Sequence, residues 1–480
     1  MSELAYKTAI ELAQMIRDKK ISSVELTEHS IGRIEKWDGD INAVVVRDFE
    51  CARKAARQAD ASPAEAGPLH GVPMTIKEAY DIENLPTTWG YPVMKDNRAA
   101  SDAVAVQKFK AAGAIFIGKT NVPISLADFQ SYNEVYGTTG NPWNPDRTPG
   151  GSSGGSAAAL AAGLSPLEAG SDIGGSIRTP AHYCGVYGHK PTWGVVPPQG
   201  HALPGVVATP DLAVCGPLAR NAEDLALALD VMSGAAPLDE PGWRLELPKP
   251  QKTSLSEFRV AIWPTDENCP VDSEIADRAT ALGETLSKLG ATVSDSARPD
   301  FDPAASHVTY QTLLNSIMGA TLSADQRAAA QAVADASDPG DLSSATVMAR
   351  GAVLSHRLWL VHNNVRERLR YRWREFFEDW DILICPQTST SAFPHDHSPM
   401  HQRTLRVNGV DQMYFQQLFW AGIATAAYLP STVFPTGPSS EGLPIGLQAV
   451  GCEYSDLHTI DFTRLLEREI GGFQRPPGFA

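Results

Sequence analysis

Gly150-Gly151-Ser152-Ser153-Gly154-Gly155-Ser156 runs straight into the alanine-rich stretch Ala157–Ala162, and Asp172-Ile173-Gly174-Gly175-Ser176 follows soon after. Glycine opens backbone angles closed to other residues and leaves amide N–H groups uncovered. A loop that enters a helix N-terminus stabilises negative charge. In the second stretch, Gly174 and Gly175 let successive amides converge on the oxygen of a carbonyl attacked by Ser176, which is the requirement for an oxyanion hole. Upstream, the apolar run Val72–Ile76 ends at a lone lysine, Lys77. Two serines and one amine in glycine-rich surroundings are what a hydrolase needs if lysine, not histidine, activates its serine.

Outward from these stretches, the first third of the chain alternates helical and strand-like pieces. Ala9–Lys19 and Ser23–Trp37 read as amphipathic helices, the second with Ser22 or Ser23 as cap and Glu25 close behind;. Ile41–Val46 reads as a buried strand, Cys51–Ala61 as a helix, Val72–Ile76 as a strand, Ala103–Ala112 as a helix and Ile115–Gly118 as a strand. Such alternation predicts an α/β fold with helices on both faces of a sheet. Gly137–Gly155 is rich in Gly, Pro, Asn and Thr, yet it lies between elements that should share a core, so it reads as an ordered functional loop;. Further strands are expected at Arg259–Trp263, Asp381–Cys385, Ser431–Phe434 and Leu443–Val450. Asp300–Asp341 reads as irregular, with a flexible point at Ala336–Asp341, and Ser343–Trp380 as one long basic amphipathic helical stretch. A weaker discontinuity falls at Ala235–Ser256, but one compact unit over residues 1–480 is expected, not separable domains.

The bulk properties narrow the function. At 480 residues and 43% apolar content a sizeable core forms without disulfides or metals;. A formal net charge of −16 argues against a broad nucleic-acid surface and against a polybasic membrane anchor;. The Arg366, Arg368, Arg370, Arg372 and Arg374 run therefore reads as solvated or ion-paired faces;. No basic segment with an apolar stretch behind it opens the chain, and no window has the length of a spanning helix. Six scattered cysteines without a CxxC pair point to reduced thiols of a cytoplasmic protein;. His395, His397 and His401 have a spacing that could suit a metal, but surface histidines in a Pro/Ser/Asp loop are the commoner case; no metal and no cofactor is expected;. Trp89, Tyr91, Phe129, Tyr132 and Trp143 could line a pocket or pack in the core.

Gly150–Gly154 also satisfies G-x-S-x-G, the nucleophile elbow, which needs a preceding strand; Pro142–Pro149 is poor strand material;. A phosphate loop needs a lysine after the glycines, and none follows. Glycine-serine loops are often plain turns, but two of them together with Lys77 speak for chemistry.

The chain resembles the amidase signature family. The matching text is Gly71–Glu78, Gly140–Pro145, Pro149–Ser156, Gly170–Arg178, Cys184–Thr192, Gly216–Arg220 and Gly442–Gln448. The similarity spans most of the chain and thins between about residues 238 and 380, the expected substrate-shaping region. The resemblance implies a single α/β/α unit with a large mixed, twisted sheet covered on both faces. It implies a Ser–Ser–Lys triad in which Ser176 is the nucleophile, Ser152 the bridging serine on a cis peptide and Lys77 the base. The amides of Ile173, Gly174, Gly175 and Ser176 would hold the oxyanion, and Ser153, Asp172 and Arg178 fall at supporting positions. Ser171 stands where threonine is common and Glu78 where aspartate is common. His189, together with Gly194–Pro197, departs from the pattern in a way expected to reshape the pocket entrance.

The function implied is hydrolysis of a C–N bond in a small-molecule amide or carbamate through an acyl-enzyme, with aryl amides and urethanes among the candidates. The alternatives are a glutaminase-type subunit of a tRNA-dependent amidotransferase and an inactive binding protein on the same scaffold. A homodimer is compatible with the resemblance. Asp300–Asp341 and Val195–Pro210 are expected to set substrate choice, and their Ala, Leu, Met and Pro content points to an apolar substrate portion;.

Overall fold

Leu167–Asp172, the strand that leads to Ser176, forms one edge of an eight-stranded mixed sheet. The order across the sheet is Thr292–Ser294, Arg259–Ile262, Ile382–Pro386, Pro444–Val450, Ser431–Pro438, Tyr187–Lys190, Val214–Ala219 and Leu167–Asp172. The first three strands run parallel and every later pairing is antiparallel. Strands such as Ile382–Pro386 are buried along their whole length, which explains why they read as unbroken apolar runs;. The computed structural model describes residues 3–62 and 67–479.

Side chains alternate across this sheet. Tyr187 joins the large core cluster containing Ala222, Leu225 and Phe462, from the helices Ala222–Met232 and Asp456–Ile470. Its neighbour Gly188 faces the other way, and a methyl added there would meet Ile177 and Ala181 at 2.8–2.9 Å. On that side lie the helices Gly154–Ala161 and Arg178–Cys184, in which every residue is buried. The expected layering of helices on both faces is therefore present.

The expected first strands form a separate three-stranded sheet, ordered Val44–Arg47, Ile115–Thr120, Pro73–Lys77. Its strand Pro73–Lys77 lies against the edge strand of the large sheet, where Tyr80 Oη donates to Gly170 O at 2.7 Å. That junction of two sheets positions the site.

Three expectations change. The first strand begins at Val44, not Ile41, because Asn42 takes the left-handed conformation (φ 55°) and closes the preceding helix after Ile41;. The stretch at 343–380 is two helices, Ser344–Ala352 and His356–Asp379, broken where Ser355 Oγ accepts from Leu358 N and caps a new start;. Within 300–341 the chain is not irregular: it holds the helices Pro303–Met318 and Ala324–Ala336, capped by Asp302 and Ser323. Alanine and β-branched content without a clean apolar stripe hid both. Between Met232 and Leu255 no helix or strand forms, in line with the discontinuity read there.

Candidate active site

Lys77 ends its strand with Nζ inside the protein among three hydroxyls: Ser152 Oγ at 2.7 Å, Ser171 Oγ at 2.9 Å and Ser153 Oγ at 3.0 Å. Among the described residues no carboxylate is hydrogen-bonded to it. Burial pushes the amine down to about 7, opposed only in part by Cys215 and Asp172;. A lysine held this way is a usable base near neutrality.

The two glycine-rich loops meet directly. The peptide bond Gly151–Ser152 is cis. Ser153 N–H donates to Ser176 O at 3.0 Å, so the serine-bearing turn of one loop is tied to that of the other. Exposure rises in order: Lys77 is 0% exposed, Ser152 1% and Ser176 8%. Ser176 is the most exposed of the three groups. Among the described residues no hydrogen bond joins Ser152 Oγ to Ser176 Oγ; such contacts commonly tighten only once substrate is bound.

Asp172 organises the turn after its strand. Its carboxylate accepts from Gly175 N–H (2.9 Å) and Ile177 N–H (3.1 Å), and from Arg178 Nε (3.0 Å) and Nη2 (2.9 Å). Burial opposes the charge, yet the Arg178 guanidinium, with Lys190 and the Gly175 N–H behind it, holds the carboxyl down to about 2. Arg178 in turn donates to Ala421 O, Gln448 Oε1 and Thr425 Oγ1, which anchors the turn to the far strands. Gly175 sits at φ +104°, where a side chain would be strained and would strike Gln387 and Thr179;.

This arrangement corrects one expectation. Gly175 N–H is committed to Asp172 and is not free for an oxyanion. Among the described residues, the N–H groups of Ile173, Gly174 and Ser176 have no protein acceptor. The set of available donors is therefore three, not four.

Residues 25–460 match the family described as Amidase. The chain belongs to the amidase family. An indoleacetamide hydrolase of Bradyrhizobium diazoefficiens is 35% identical to this amidase over 97% of the chain and 86% of the relative. A glutamyl-tRNA(Gln) amidotransferase component from Coxiella burnetii is 31% identical over 98% and 99% of the two chains. Among solved structures, a 6-aminohexanoate cyclic dimer hydrolase complexed with substrate superposes with a TM-score of 0.79 at 27% identity, covering 99% of this chain and 100% of the other. With hydrolases of C–N bonds among its relatives over nearly full length, the amidase is an enzyme of that class, which sets aside the inactive-scaffold alternative.

Beside the Asp172–Ser176 turn of the amidase lies an aromatic wall. Ile173 and Trp193 pack against a buried cluster that includes Phe129, Tyr310, Leu418 and Tyr428. Tyr310 Oη donates to Ile173 O at 2.8 Å, and a methyl at Gly174 would meet Leu418 at 2.9 Å. Trp193 and Tyr428 stack with centroids 5.0 Å apart. Of the aromatics singled out in the sequence, Phe129 joins this wall. Trp143 instead ties its Nε1–H to Cys184 O at the end of the Arg178–Cys184 helix, and Tyr132 Oη accepts from Arg403. His189 is fully buried between Thr432 and Asp456, well inside the sheet and not at an entrance. His397 stacks on Tyr132 at 3.8 Å.

Sequence reasoning missed several residues. Ser171, noted only as a departure, supplies one of the three hydroxyls around Lys77; its place beside Asp172 at the strand end was the available signal. Glu78 accepts from Thr88 N–H, Trp89 N–H and Tyr136 Oη, so it pins the loop after the lysine strand. Glu168 is buried against Thr75, with one oxygen unpartnered and the carboxyl pushed by burial up to about 8. Tyr310 comes from the region where resemblance thins. A hollow of about 550 Å³ lined by Gly234, Trp243 and Arg244 contains none of the three candidate catalytic groups.

Proposed function

We propose that this amidase cleaves the C–N bond of an amide that carries an apolar, aromatic group, using Ser176, Ser152 and Lys77 and an acyl-enzyme. The observation that carries the reading is Lys77 Nζ, fully buried, poised near 7 and 2.7 Å from Ser152 Oγ, with the more exposed Ser176 at the adjoining turn.

The steps follow from these positions. Neutral Lys77 takes the proton of Ser152 as Ser152 takes that of Ser176. Ser176 Oγ bonds to the acyl carbon, and the electron pair moves to the carbonyl oxygen, which the N–H groups of Ile173, Gly174 and Ser176 receive. The relay returns its proton to the leaving nitrogen, the C–N bond breaks and the amine or ammonia departs. Water then gives a proton to the same relay, attacks the acyl carbon and releases the carboxylic acid from Ser176. The relay restores the serine proton. Asp172 and Arg178 keep the turn in shape, and Ser153 and Ser171 hold the amine in place.

Trp193, the partly exposed face of the cluster that buries Tyr310 and Tyr428, supports an aryl-bearing acyl portion;. Relatives that belong to amidotransferases keep the glutaminase reading as the second one. Ammonia release from indoleacetamide and phenylacetamide, compared with glutamine, separates the two. Aryl acetamides should be turned over by the chain alone, and Lys77→Ala, Ser152→Ala and Ser176→Ala should each lower the rate by roughly 10⁴-fold. Turnover of glutamine only, or undiminished turnover in Ser176→Ala, contradicts this reading.

A further inference from the structure

The loop that carries Ser152 is seated on another segment, and that segment is gripped from far away in the chain. A methyl added at Gly151 would come 2.3 Å from Asp128 O and 2.7 Å from Gln130 N, so the Gly151 backbone presses directly on residues 128–130. Ser131 Oγ donates to Gly150 O at 3.0 Å and accepts from Gly154 N–H at 3.1 Å, bracketing the same loop on both sides of Ser152. The seat is held from outside. Arg403 Nη1 donates to Asp128 Oδ2 at 2.7 Å, and Tyr414 Oη donates to Asp128 Oδ1 at 2.6 Å. Gln130 exchanges two hydrogen bonds with the backbone of Asp396, at 2.6 and 2.9 Å. The Asp128 and Arg403 side chains are only 4% and 2% exposed, so this ion pair is not a screened surface contact;.

The seat does not hold this shape unaided. Ser125 and Leu126, which lead into it, both take positive φ (58° and 56°), a conformation that costs non-glycine residues energy and persists where surroundings enforce it;. The 393–403 strap also crosses the entry to the serine loop. Thr148 N–H donates to Phe393 O and His395 N–H to Asp146 O.

The geometry points to Asp128 and Arg403 as positioning residues that set the location of the Ser152 hydroxyl between Lys77 and Ser176. They touch neither substrate nor reacting atoms. Their carboxylate–guanidinium pair, with Tyr414, fixes segment 128–131, and that segment fixes Gly151 and hence Ser152. The inference rests on the Ser–Ser–Lys reading, since it matters only if Ser152 relays the proton. An ångström of drift in a relay group costs up to roughly a hundredfold in rate.

Asp128→Asn keeps size and removes the charge pair. On indoleacetamide, kcat is expected to fall roughly ten- to a hundredfold with KM within about threefold of the parent. A purely structural role predicts a lower melting temperature with kcat per folded molecule unchanged. The decisive readout is a double-mutant cycle on the rate of Ser176 labelling by a fluorophosphonate. In the Ser152→Ala background, Asp128→Asn should change that rate by less than about twofold, because the group it positions is gone. Equal effects in both backgrounds, or parent-like kcat in soluble Asp128→Asn, overturn the proposal. Should Asp128→Asn fail to fold, Tyr414→Phe removes a single hydrogen bond from Asp128. A several-fold loss of kcat that disappears in the Ser152→Ala background supports the inference, and a parent-like rate overturns it. If Ser152→Ala itself keeps full activity, the Ser–Ser–Lys reading fails first, which is a distinguishable result.

Discussion

Lys77 is a base only when it has lost its proton, and its environment makes that common near neutral pH. Burial without a carboxylate partner lowers the amine from its ordinary 10.5 to about 7;. Below about pH 7 the group is charged and cannot accept the Ser152 proton, so kcat/KM should fall about tenfold per pH unit and level off above. The pH–rate profile for ammonia release checks this; a profile with no limb between pH 6 and 8 contradicts it. Glu168 carries the opposite perturbation. Its folded-state value of about 8 lies above the ordinary 4.5, so the folded form holds a proton that the unfolded chain gives up between those values. Stability from this group is full below about pH 4.5 and is lost as pH rises toward 8. Glu168→Gln, which cannot ionise, should therefore gain on the parent across that window, by up to about 5 kcal/mol. Denaturant midpoints of both proteins at pH 5 and pH 8.5 measure the difference; an equal gap at the two values counts against a protonated Glu168. The lowered Lys77 amine is expected from the base role that the resemblance implies, whereas the raised Glu168 is not visible in the sequence, because it depends on what surrounds the side chain. The residue types themselves were legible: contiguous glycine-serine runs announce the two serines, and Lys77 is conspicuous at the end of an apolar strand.

The turn from Leu167–Asp172 into Arg178–Cys184 works as one element. Gly175 and the start of its helix both hang on the Asp172 carboxylate at the strand end. Removing Arg178 leaves that carboxylate buried without its counter-charge. Arg178→Met is expected to cost about 3–5 kcal/mol, read as a lower urea midpoint, and Asp172→Asn in the same chain should recover part of it. Additive losses in the double variant would remove the pair from the account. At this scale the sequence reads unevenly. Asp172 and Arg178 lie within one short motif, and the resemblance gives both of them supporting positions there. That Asp172 takes Gly175 N–H out of the oxyanion set was not expected, because donor direction is a property of the folded turn. The helix Ala324–Ala336 escaped because it buries no residue and so shows no apolar stripe, and Pro303–Met318 because polar residues share its buried face;.

Across the whole molecule, the site is built where two sheets abut and where distant segments close over them. Lys77 comes from the small sheet, Ser152 and Ser153 from a helix start, Ser171 from the edge of the large sheet, and Tyr310 from a helix more than a hundred residues downstream. Long-range partners such as Asp128 with Arg403 share no spacing or period, which is why the sequence offered no hint of them. The aromatic wall carries a specificity prediction. Trp193→Ala should lower kcat/KM for phenylacetamide by roughly tenfold or more while changing that for acetamide by less than about threefold. Equal losses on both substrates would place the wall away from the acyl group. In the proposed reaction the hydroxyl of Ser176, activated through Ser152 by a neutral Lys77, becomes acylated. Intact-protein mass spectrometry after treatment with a fluorophosphonate, followed by peptide mapping, tests it most directly. One adduct per chain is expected, on Ser176, formed far more slowly in Lys77→Ala and Ser152→Ala; an unmodified folded protein, or an adduct on any other residue, would rule this chemistry out.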